Sequence, residues 1–197
     1  MIHTIDEWKA SKLDTASRSI CGEVISNAND KEFFGILSSL LLKPGDRLLE
    51  IGFGLGLSAS VFRNVQLRTH DIWEIHPEII RHAFLFSLEN ENTQVLECSW
   101  MDLRKITPTI AYDCVYFDAF SNIFNEDLLF LEFIRYASKN LLNDNGRFSF
   151  FTQKKELPDS IMLALRECFV TVDIVKIANI NHLIPVASLP RNGIDLK

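Results

Sequence analysis

The sequence lacks the features that would place it in several common classes of proteins. It has no long hydrophobic run, because the most apolar stretch, residues 33–42, spans only ten positions and contains two serines. A membrane-spanning helix needs about 20 apolar residues. It also lacks an excess of basic residues, since 26 Asp and Glu outnumber 20 Lys and Arg and the net charge is −6. We therefore expect no membrane span and no nucleic-acid partner, and a cationic or small-molecule partner suits the charge better.

Cysteine is scarce as well, and its spacing excludes two further classes. The four cysteines are Cys21, Cys98, Cys114 and Cys168. They lack the short paired spacing of zinc sites and redox dithiols, and the histidines show no ligand spacing either. Asp6 and Glu7 precede any apolar run, unlike the start of a secretory signal. We predict buried thiols in a reducing compartment, a cytoplasmic location and no metal site.

What the sequence does contain is a regular alternation of strand and helix patterns. Residues 5–42 have a helical pattern and end at a Lys-Pro-Gly-Asp turn signal. Beyond it, strands are predicted at 47–51, 69–75, 94–97, 112–117, 147–152, 169–177 and 182–189, and helices at 57–64, 77–90, 126–142 and 158–168. This order predicts an α/β fold with a doubly wound, mostly parallel seven-stranded sheet, in which the last two strands are antiparallel neighbours.

A length of 197 residues indicates a single domain. Within it, we expect residues 1–44 to form an N-terminal helical lid and residues 45–197 a Rossmann-like core. Doubly wound sheets bind their ligands beyond the carboxyl ends of the strands. We therefore expect the functional residues at 52–56, 74–76, 98–102 and 118–121.

The first of these strand ends is a glycine loop, Gly52-Phe53-Gly54-Leu55-Gly56. Alternate glycines let the backbone approach a ligand closely. The segment 54–59 also fits the dinucleotide fingerprint G-x-G-x-x-G/A, with Glu74 as its acidic partner. From the loop alone, a nicotinamide-dependent oxidoreductase stays open.

Two features favour S-adenosylmethionine over a dinucleotide. Glu50 precedes the glycines, where it would repel a pyrophosphate and attract a sulfonium and an ammonium group. Glu74 ends the second strand and could accept both ribose hydroxyls, while Ser99, Trp100 and Asp102 follow the third strand, where an indole could pack on an adenine face. Their order along one alternating fold favours an adenosine with a cationic tail.

Four stretches, residues 49–54, 73–77, 99–102 and 112–120, carry a resemblance to a known family. With them, the chain resembles the class I S-adenosylmethionine-dependent methyltransferases, and more narrowly the guanidinoacetate and arginine N-methyltransferases. The resemblance implies methyl transfer to a guanidino nitrogen of a small metabolite such as arginine or guanidinoacetate, with S-adenosylhomocysteine as the second product. Another small-molecule nitrogen or oxygen, a protein arginine, an oxidoreductase and a non-catalytic partner subunit remain as alternatives.

The resemblance also implies roles for individual residues. Asp118 and Asp30 are the candidate catalytic carboxylates, and Glu32 replaces Asp30 if the register slips by two. The candidate cofactor-binding residues are Glu50, Gly52, Phe53, Gly54, Gly56, Leu57, Glu74, Ile75, His76, Ser99, Trp100, Asp118 and Phe34. The chain departs from the family pattern by an aspartate in place of a glutamate at position 30, and by Ala119 and Ser121 after Asp118.

The sequence carries weaker signals for the group that would bind the other end of the substrate, and for the oligomeric state. Lys154 or Lys155, after the fifth predicted strand, could meet an anionic end of the substrate, although exposed lysines beside a loop are usually only solvated. A small-molecule substrate with a cationic nitrogen group is the expected partner, and a homodimer is considered.

Overall fold

The computed structural model describes residues 5–25, 30–102, 110–119, 126–177 and 182–191. The helices are α1 (Ile5–Ala10), α2 (Lys31–Leu41), α3 (Leu57–Phe62), α4 (Pro77–Leu88), α5 (Glu126–Tyr136) and α6 (Asp159–Cys168). The strands are β1 (Leu13–Asp14), β2 (Ser19–Ile20), β3 (Glu23–Val24), β4 (Arg47–Ile51), β5 (Thr69–Glu74), β6 (Thr93–Glu97), β7 (Tyr112–Phe117), β8 (Leu142–Phe150), β9 (Phe169–Lys176) and β10 (Leu183–Pro190). A π-helical turn, Ala137–Leu141, extends α5.

The central sheet has seven strands in the order β6-β5-β4-β7-β8-β10-β9. Strands β6, β5, β4, β7 and β8 run parallel to one another, and β10 is antiparallel to both β8 and β9. This confirms the predicted fold class and the antiparallel pairing of the last two strands. The chain builds outward from β4 to β6 and then crosses to β7, so the order reverses between β4 and β7. Crevices that bind ligands open at such a reversal.

The middle strands are buried on both faces because helices cover both sides of the sheet. One face packs under α5 and α6 with Ile51, Phe117, Phe133 and Phe148 in its core. The opposite face packs under α2 and α3 through Phe34, Phe62 and Tyr116, and a further cluster beside β5 joins α4 to the N-terminal segment. Near-continuous apolar strands of this kind are typical of parallel sheets.

The N-terminal segment differs from its prediction. Residues 5–42 were expected to be helical throughout, but α1 ends at Ala10 and β1, β2 and β3 form a small antiparallel sheet before α2 begins at Lys31. Strands of two residues are too short to show a period in the sequence, and Gly22, with φ +79°, interrupts the helical pattern. The expectation of a helical lid over 1–44 is therefore wrong for residues 13–24.

Strand β8 also differs from its prediction. The segment Asn143-Asp144-Asn145-Gly146 was expected to form a turn before a strand beginning at Arg147, but β8 begins at Leu142. Between Leu142 and Arg147, β8 advances five residues while its partner β7 advances two, from Tyr112 to Cys114. The predicted turn residues are thus accommodated as a bulge within the strand.

The burial of the cysteines differs in part from its prediction. All four cysteines are free, but only Cys114 and Cys168 are buried, while Cys21 and Cys98 are partly exposed.

Within the described ranges, no helix combines the length and the apolar character needed to cross a membrane.

Candidate active site

Gly52 joins the end of β4 to the end of β7. Its φ is +86°, and a Cβ there would lie 2.5 Å from the carbonyl oxygen of Asp118. The backbone N–H of Asp118 in turn donates to the carbonyl of Ile51 at 2.8 Å. The glycine therefore allows the cofactor-loop backbone to lie directly against the backbone of the candidate catalytic aspartate. The sequence placed these two residues at the ends of two strands, and the structure makes the two strands neighbours and brings the residues into contact.

Glu74, at the end of β5, holds the glycine loop in place. Its Oε2 accepts a hydrogen bond from the backbone N–H of Phe53 at 3.0 Å, and its Oε1 accepts from the N–H groups of Ile75 and His76 at 2.7 and 2.9 Å. A carboxylate has about four acceptor positions, of which these bonds use three. Glu74 can therefore accept one further hydroxyl hydrogen bond in this arrangement, not the two that the sequence interpretation assigned to it.

Glu50 does not face the ligand crevice, in contrast to its predicted role. Its carboxylate is fully buried and accepts a hydrogen bond from Ser58 Oγ, while its other oxygen lies 2.7 Å from His70 Nε2. Both oxygens are thus occupied inside the protein. Leu57, also predicted to contact the cofactor, begins α3 and is half-buried. Glu50 acts on the site through its charge rather than by contact.

His76 anchors the N-terminal segment beside the loop. The imidazole is fully buried, its Nδ1 accepts the N–H of Glu78 at 3.3 Å as the cap of α4, and its Nε2 lies 3.2 Å from the carbonyl oxygen of Ser11. A carbonyl only accepts, so this network places the proton on Nε2. The side chain predicted to contact the cofactor is therefore occupied by protein groups on both nitrogens.

Further contacts place residues 5–25 across the glycine loop. Phe53 packs in one cluster with Trp8 and Ile20, and a Cβ on Gly54 would lie 2.7 Å from the carbonyl oxygen of Ile25. Gly56 ends the loop in the left-handed conformation and is the N-cap residue of α3. Residues 5–25 therefore contact the glycine loop and are mostly not helical, and their role as a lid over a bound ligand stays a prediction.

Trp100 and Ser99 follow β6 as predicted. The indole is 7% exposed and packs edge-on against Phe117 and Phe133, with ring centroids 5.1 and 5.8 Å apart. Ser99 Oγ accepts the N–H of Met101 at 3.3 Å. Trp100 thus belongs to the core beneath the strand ends, and its contact with an adenine ring stays a prediction.

Asp118 stands at the end of β7 in a strongly acidic environment. Its Oδ2 accepts a hydrogen bond from the hydroxyl of Tyr116 at 3.2 Å, and within the described residues its Oδ1 has no partner. Loss of solvent and the negative charge of Glu50 raise the pKa of Asp118 well above its usual range, Asp30 adds to this effect, and the Tyr116 hydrogen bond opposes it. A carboxylate in this position favours a cationic ligand.

Asp30 supplies the second carboxylate from the residue that precedes α2. Although it occupies the N-cap position, its side chain makes no capping hydrogen bond. Burial raises the pKa of Asp30, and the charge of His182 opposes that shift. Glu32, the alternative, is exposed on α2, whereas Phe34 is 5% exposed and packs towards Tyr116. The charge of Asp30 acts on Asp118, and the choice between Asp30 and Glu32 as the second catalytic carboxylate stays a prediction.

Two residues that the sequence did not single out belong to this region. Tyr116 contacts Asp118 directly, and His182 lies between Phe33 and Phe151 with ring centroids 5.6 and 5.4 Å away. In the described part of the chain, neither ring nitrogen of His182 has a hydrogen-bond partner, although both are buried. A lone histidine or a tyrosine within an apolar strand carries no sequence signal of this kind.

The remaining candidates lie at the rim or beyond the described ranges. Lys154 and Lys155 are exposed in the turn after β8, with no described partner for their ammonium groups. Residues 120 and 121 of the expected strand-end group lie outside the described residues. Among the residues described, no three His, Cys, Asp or Glu side chains are grouped so that they could hold a metal ion.

Comparison with known proteins identifies the family to which the sequence is similar. The model of the family described as guanidinoacetate N-methyltransferase matches residues 6–176. Protein arginine N-methyltransferase 2 of Neurospora crassa is 30% identical over 123 residues, covering 55% of this chain and 28% of that protein. Its namesake from Saccharomyces cerevisiae is 28% identical over 108 residues, covering 53% of this chain and 25% of that protein. The chain thus spans about a quarter of the length of these curated relatives.

Solved structures share the fold at low sequence identity. The N-methyltransferase NodS from Bradyrhizobium japonicum WM9, in complex with S-adenosyl-L-homocysteine, superimposes with a TM-score of 0.68 at 11% identity, covering 95% of this chain and 96% of that one. The fibrillarin pre-rRNA processing protein of Methanococcus jannaschii gives a TM-score of 0.60 at 16% identity, covering 75% and 67%. At these identities the likeness concerns the fold alone.

Proposed function

The chain belongs to the guanidinoacetate N-methyltransferase family, and from this premise we propose that it transfers a methyl group from S-adenosylmethionine to a guanidino nitrogen of a small metabolite such as arginine or guanidinoacetate. One observation carries the proposal. The backbone carbonyl of Asp118 lies directly against Gly52 of the glycine loop, and the negative charges of Glu50 and Asp30 act on the carboxyl group of the same residue. A cation held by Asp118 therefore lies beside the loop that would hold the methyl donor.

S-adenosylmethionine is the cofactor, and the loop residues suit it. Among the described residues, three hydrogen bonds to Glu74 leave its carboxylate one acceptor position for a ribose hydroxyl. The excess of carboxylates around Asp118 suits a ligand with a sulfonium and an ammonium group better than one with a pyrophosphate. When bound, the cofactor supplies an electrophilic methyl group and needs little activation by the protein.

The acceptor presents the harder chemical problem. A guanidinium has a pKa above about 12 and stays charged at neutral pH. Removing its proton before the reaction would cost roughly 7 kcal/mol, at about 1.4 kcal/mol for each pH unit. We assign to Asp118 and Asp30 the role of binding the planar guanidinium group through hydrogen bonds. Their negative charges also offset the charge of this group next to the cationic methyl donor. Either can accept the proton as the new carbon–nitrogen bond forms, and a raised pKa makes each a better acceptor than an ordinary carboxylate.

A second acceptor is supported by the curated relatives, which bear the name protein arginine N-methyltransferase. An arginine side chain in a protein offers the same planar cation to Asp118 and Asp30. The family match favours methyl transfer over the nicotinamide-dependent alternative. The cytoplasmic location and the homodimer stay predictions of the sequence.

Incubation with S-adenosylmethionine and a panel of guanidino compounds tests the proposed activity. We expect mass spectrometry to detect one added methyl group on arginine, guanidinoacetate or a close analogue. An arginine-containing peptide in the same panel tests the second acceptor, and agmatine tests whether a carboxylate is required. Methyl transfer to the peptide alone would favour the protein substrate. No product on any guanidino group, with cofactor binding verified by calorimetry, would overturn the proposal.

Asp30→Asn is expected to lower kcat/KM for the acceptor by about 10- to 100-fold, because a hydrogen bond to a charged group contributes about 1.5–3 kcal/mol. Glu32→Gln is the matched control, since Glu32 is exposed on α2 and lies two residues away. We expect this control to stay within about twofold of the unaltered protein, as surface substitutions usually do. Steady-state kinetics of both variants give the two values of kcat/KM. A large loss of kcat/KM in Glu32→Gln alone would assign the second carboxylate to Glu32 instead of Asp30.

A further inference from the structure

Tyr116 makes the one described hydrogen bond to the side chain of Asp118. The two residues are two positions apart at the end of β7, so their side chains project to the same face of the sheet. The phenol donates to Oδ2 at 3.2 Å and leaves Oδ1 without a described partner. The hydrogen bond therefore occupies one oxygen of the carboxylate and leaves the other available to bind the cationic methyl acceptor.

The ring of Tyr116 is held rigidly. It is fully buried and packs edge-on against Phe62 and Phe34, with centroids 5.5 and 6.2 Å away. Such aromatic contacts hold the ring in one orientation, which keeps the hydroxyl directed at Asp118. Because these contacts involve the ring and not the hydroxyl, a phenylalanine at this position can preserve the packing.

The charges around the pair oppose ionisation of Asp118. Glu50 faces Tyr116 from the paired position on β4, and Asp30 approaches from the segment before α2. His70 of β5 pairs with Glu50, and His182 beside β10 interacts with Asp30. Burial and the same carboxylates raise the pKa of Tyr116 well above its ordinary value, so the phenol keeps its proton and remains a donor. Its hydrogen bond to Asp118 lowers the pKa of that carboxyl, against the effect of burial.

We propose that Tyr116 is a positioning residue that, through its hydrogen bond to Oδ2, orients the carboxylate of Asp118 for binding the cationic acceptor and stabilises its charged form. This inference rests on the proposed function, in which Asp118 grips the guanidino group. Neither the family match nor the sequence analysis assigned a role to Tyr116. Its action is through Asp118, so its removal must change the titration of that carboxylate.

Tyr116→Phe tests this inference, with Tyr112→Phe as the matched control. Tyr112 is on the same strand and also donates its hydroxyl to a carboxylate, Asp71 Oδ2 at 2.7 Å, but it lies at the opposite end of β7. We expect Tyr116→Phe to lower kcat/KM at pH 7 by about tenfold and to move the acidic limb of its pH profile up by about one unit. Tyr112→Phe is expected to leave the profile unchanged.

A double variant separates positioning from a general structural effect. If Tyr116 acts through Asp118, Tyr116→Phe should have little further effect on catalysis when Asp118 is already asparagine. An equal pH profile for Tyr116→Phe and the unaltered protein, or an equal shift in Tyr112→Phe, would overturn the inference.

A measurement without turnover keeps this inference distinct from the proposed function. Carbon-13 NMR of labelled aspartates follows the titration of Asp118, assigned by its absence in Asp118→Asn. We expect the pKa of Asp118 to be higher in Tyr116→Phe than in the unaltered protein. If the unaltered protein methylates no guanidino compound, the proposed function fails, while this titration still decides whether Tyr116 stabilises the charged form of Asp118.

Discussion

Asp118→Asn is expected to reduce kcat for methyl transfer by at least about 100-fold while changing the affinity for S-adenosylmethionine by less than about threefold. The amide keeps the size of the side chain but removes the charge that offsets the guanidinium and the oxygen that accepts the departing proton. Losing one preorganised electrostatic group typically costs about 100- to 1,000-fold in kcat. Cofactor affinity is preserved because Asp118 meets the loop through its backbone carbonyl, which the substitution leaves in place.

Steady-state kinetics with guanidinoacetate and calorimetry with S-adenosylmethionine in the absence of an acceptor measure the two quantities separately. Asp113→Asn is the control, because Asp113 lies on the same strand but accepts hydrogen bonds from the Arg47 backbone and from Asn143, away from the carboxyl end. We expect that control to lose stability and keep its kcat. Turnover of Asp118→Asn at the rate of the unaltered protein would remove Asp118 from the mechanism.

Gly52→Ala is expected to abolish both cofactor binding and methyl transfer, with a loss of affinity of at least about 100-fold. Two effects add at this position. A side chain at φ +86° is strained by about 1–2 kcal/mol, and the new Cβ would lie 2.5 Å from the carbonyl oxygen and 2.8 Å from the carbonyl carbon of Asp118. Because both contacts are with backbone, relief requires β4 and β7 to move apart at the point where the site is built.

Gly45→Ala separates strain from collision. Gly45 has φ +87°, nearly the same as Gly52, but a Cβ there would meet no atom within 4 Å. We expect this control to lower the thermal midpoint by an amount matching about 1–2 kcal/mol and to leave cofactor affinity unchanged. Calorimetry with S-adenosylhomocysteine and thermal denaturation of both variants provide the comparison. Equal cofactor affinity in the two variants would show that the contact with Asp118 is not essential.

The core of the fold was predictable because its sequence signals are local. Strands β4 and β7 are short, mostly apolar and followed by glycine or aspartate, and they form the centre of the sheet, where they are buried on both faces. The N-terminal strands were not predictable, because two-residue strands have no period and their pairing depends on contacts with the rest of the protein. The bulge in β8 was missed since Asn143–Gly146 favours a turn locally, while pairing with β7 overrides that preference.

The candidate site was also predictable only in part. The positions of Gly52, Glu74, Trp100 and Asp118 at strand ends followed from the alternation of elements. The direction of each side chain did not follow. Glu50 stands before the loop in sequence, yet its oxygens contact Ser58 and His70, eight and twenty residues away. In the sequence, Tyr116 is not distinguished from the other apolar residues of its strand, whereas in the structure its hydroxyl donates a hydrogen bond to Asp118.

The sequence by itself determined the order of strands and helices, the glycine loop at the end of the first central strand and the aspartate at the end of β7, because these depend on periodicity and turn chemistry over a few residues. Only the tertiary structure decided which carboxylates are buried and paired, as Glu50 is, and which have an oxygen without a partner among the described residues, as Asp118 has. Charge and hydrogen bonding at a site depend on side chains that are distant in the chain and become neighbours only when the sheet is assembled.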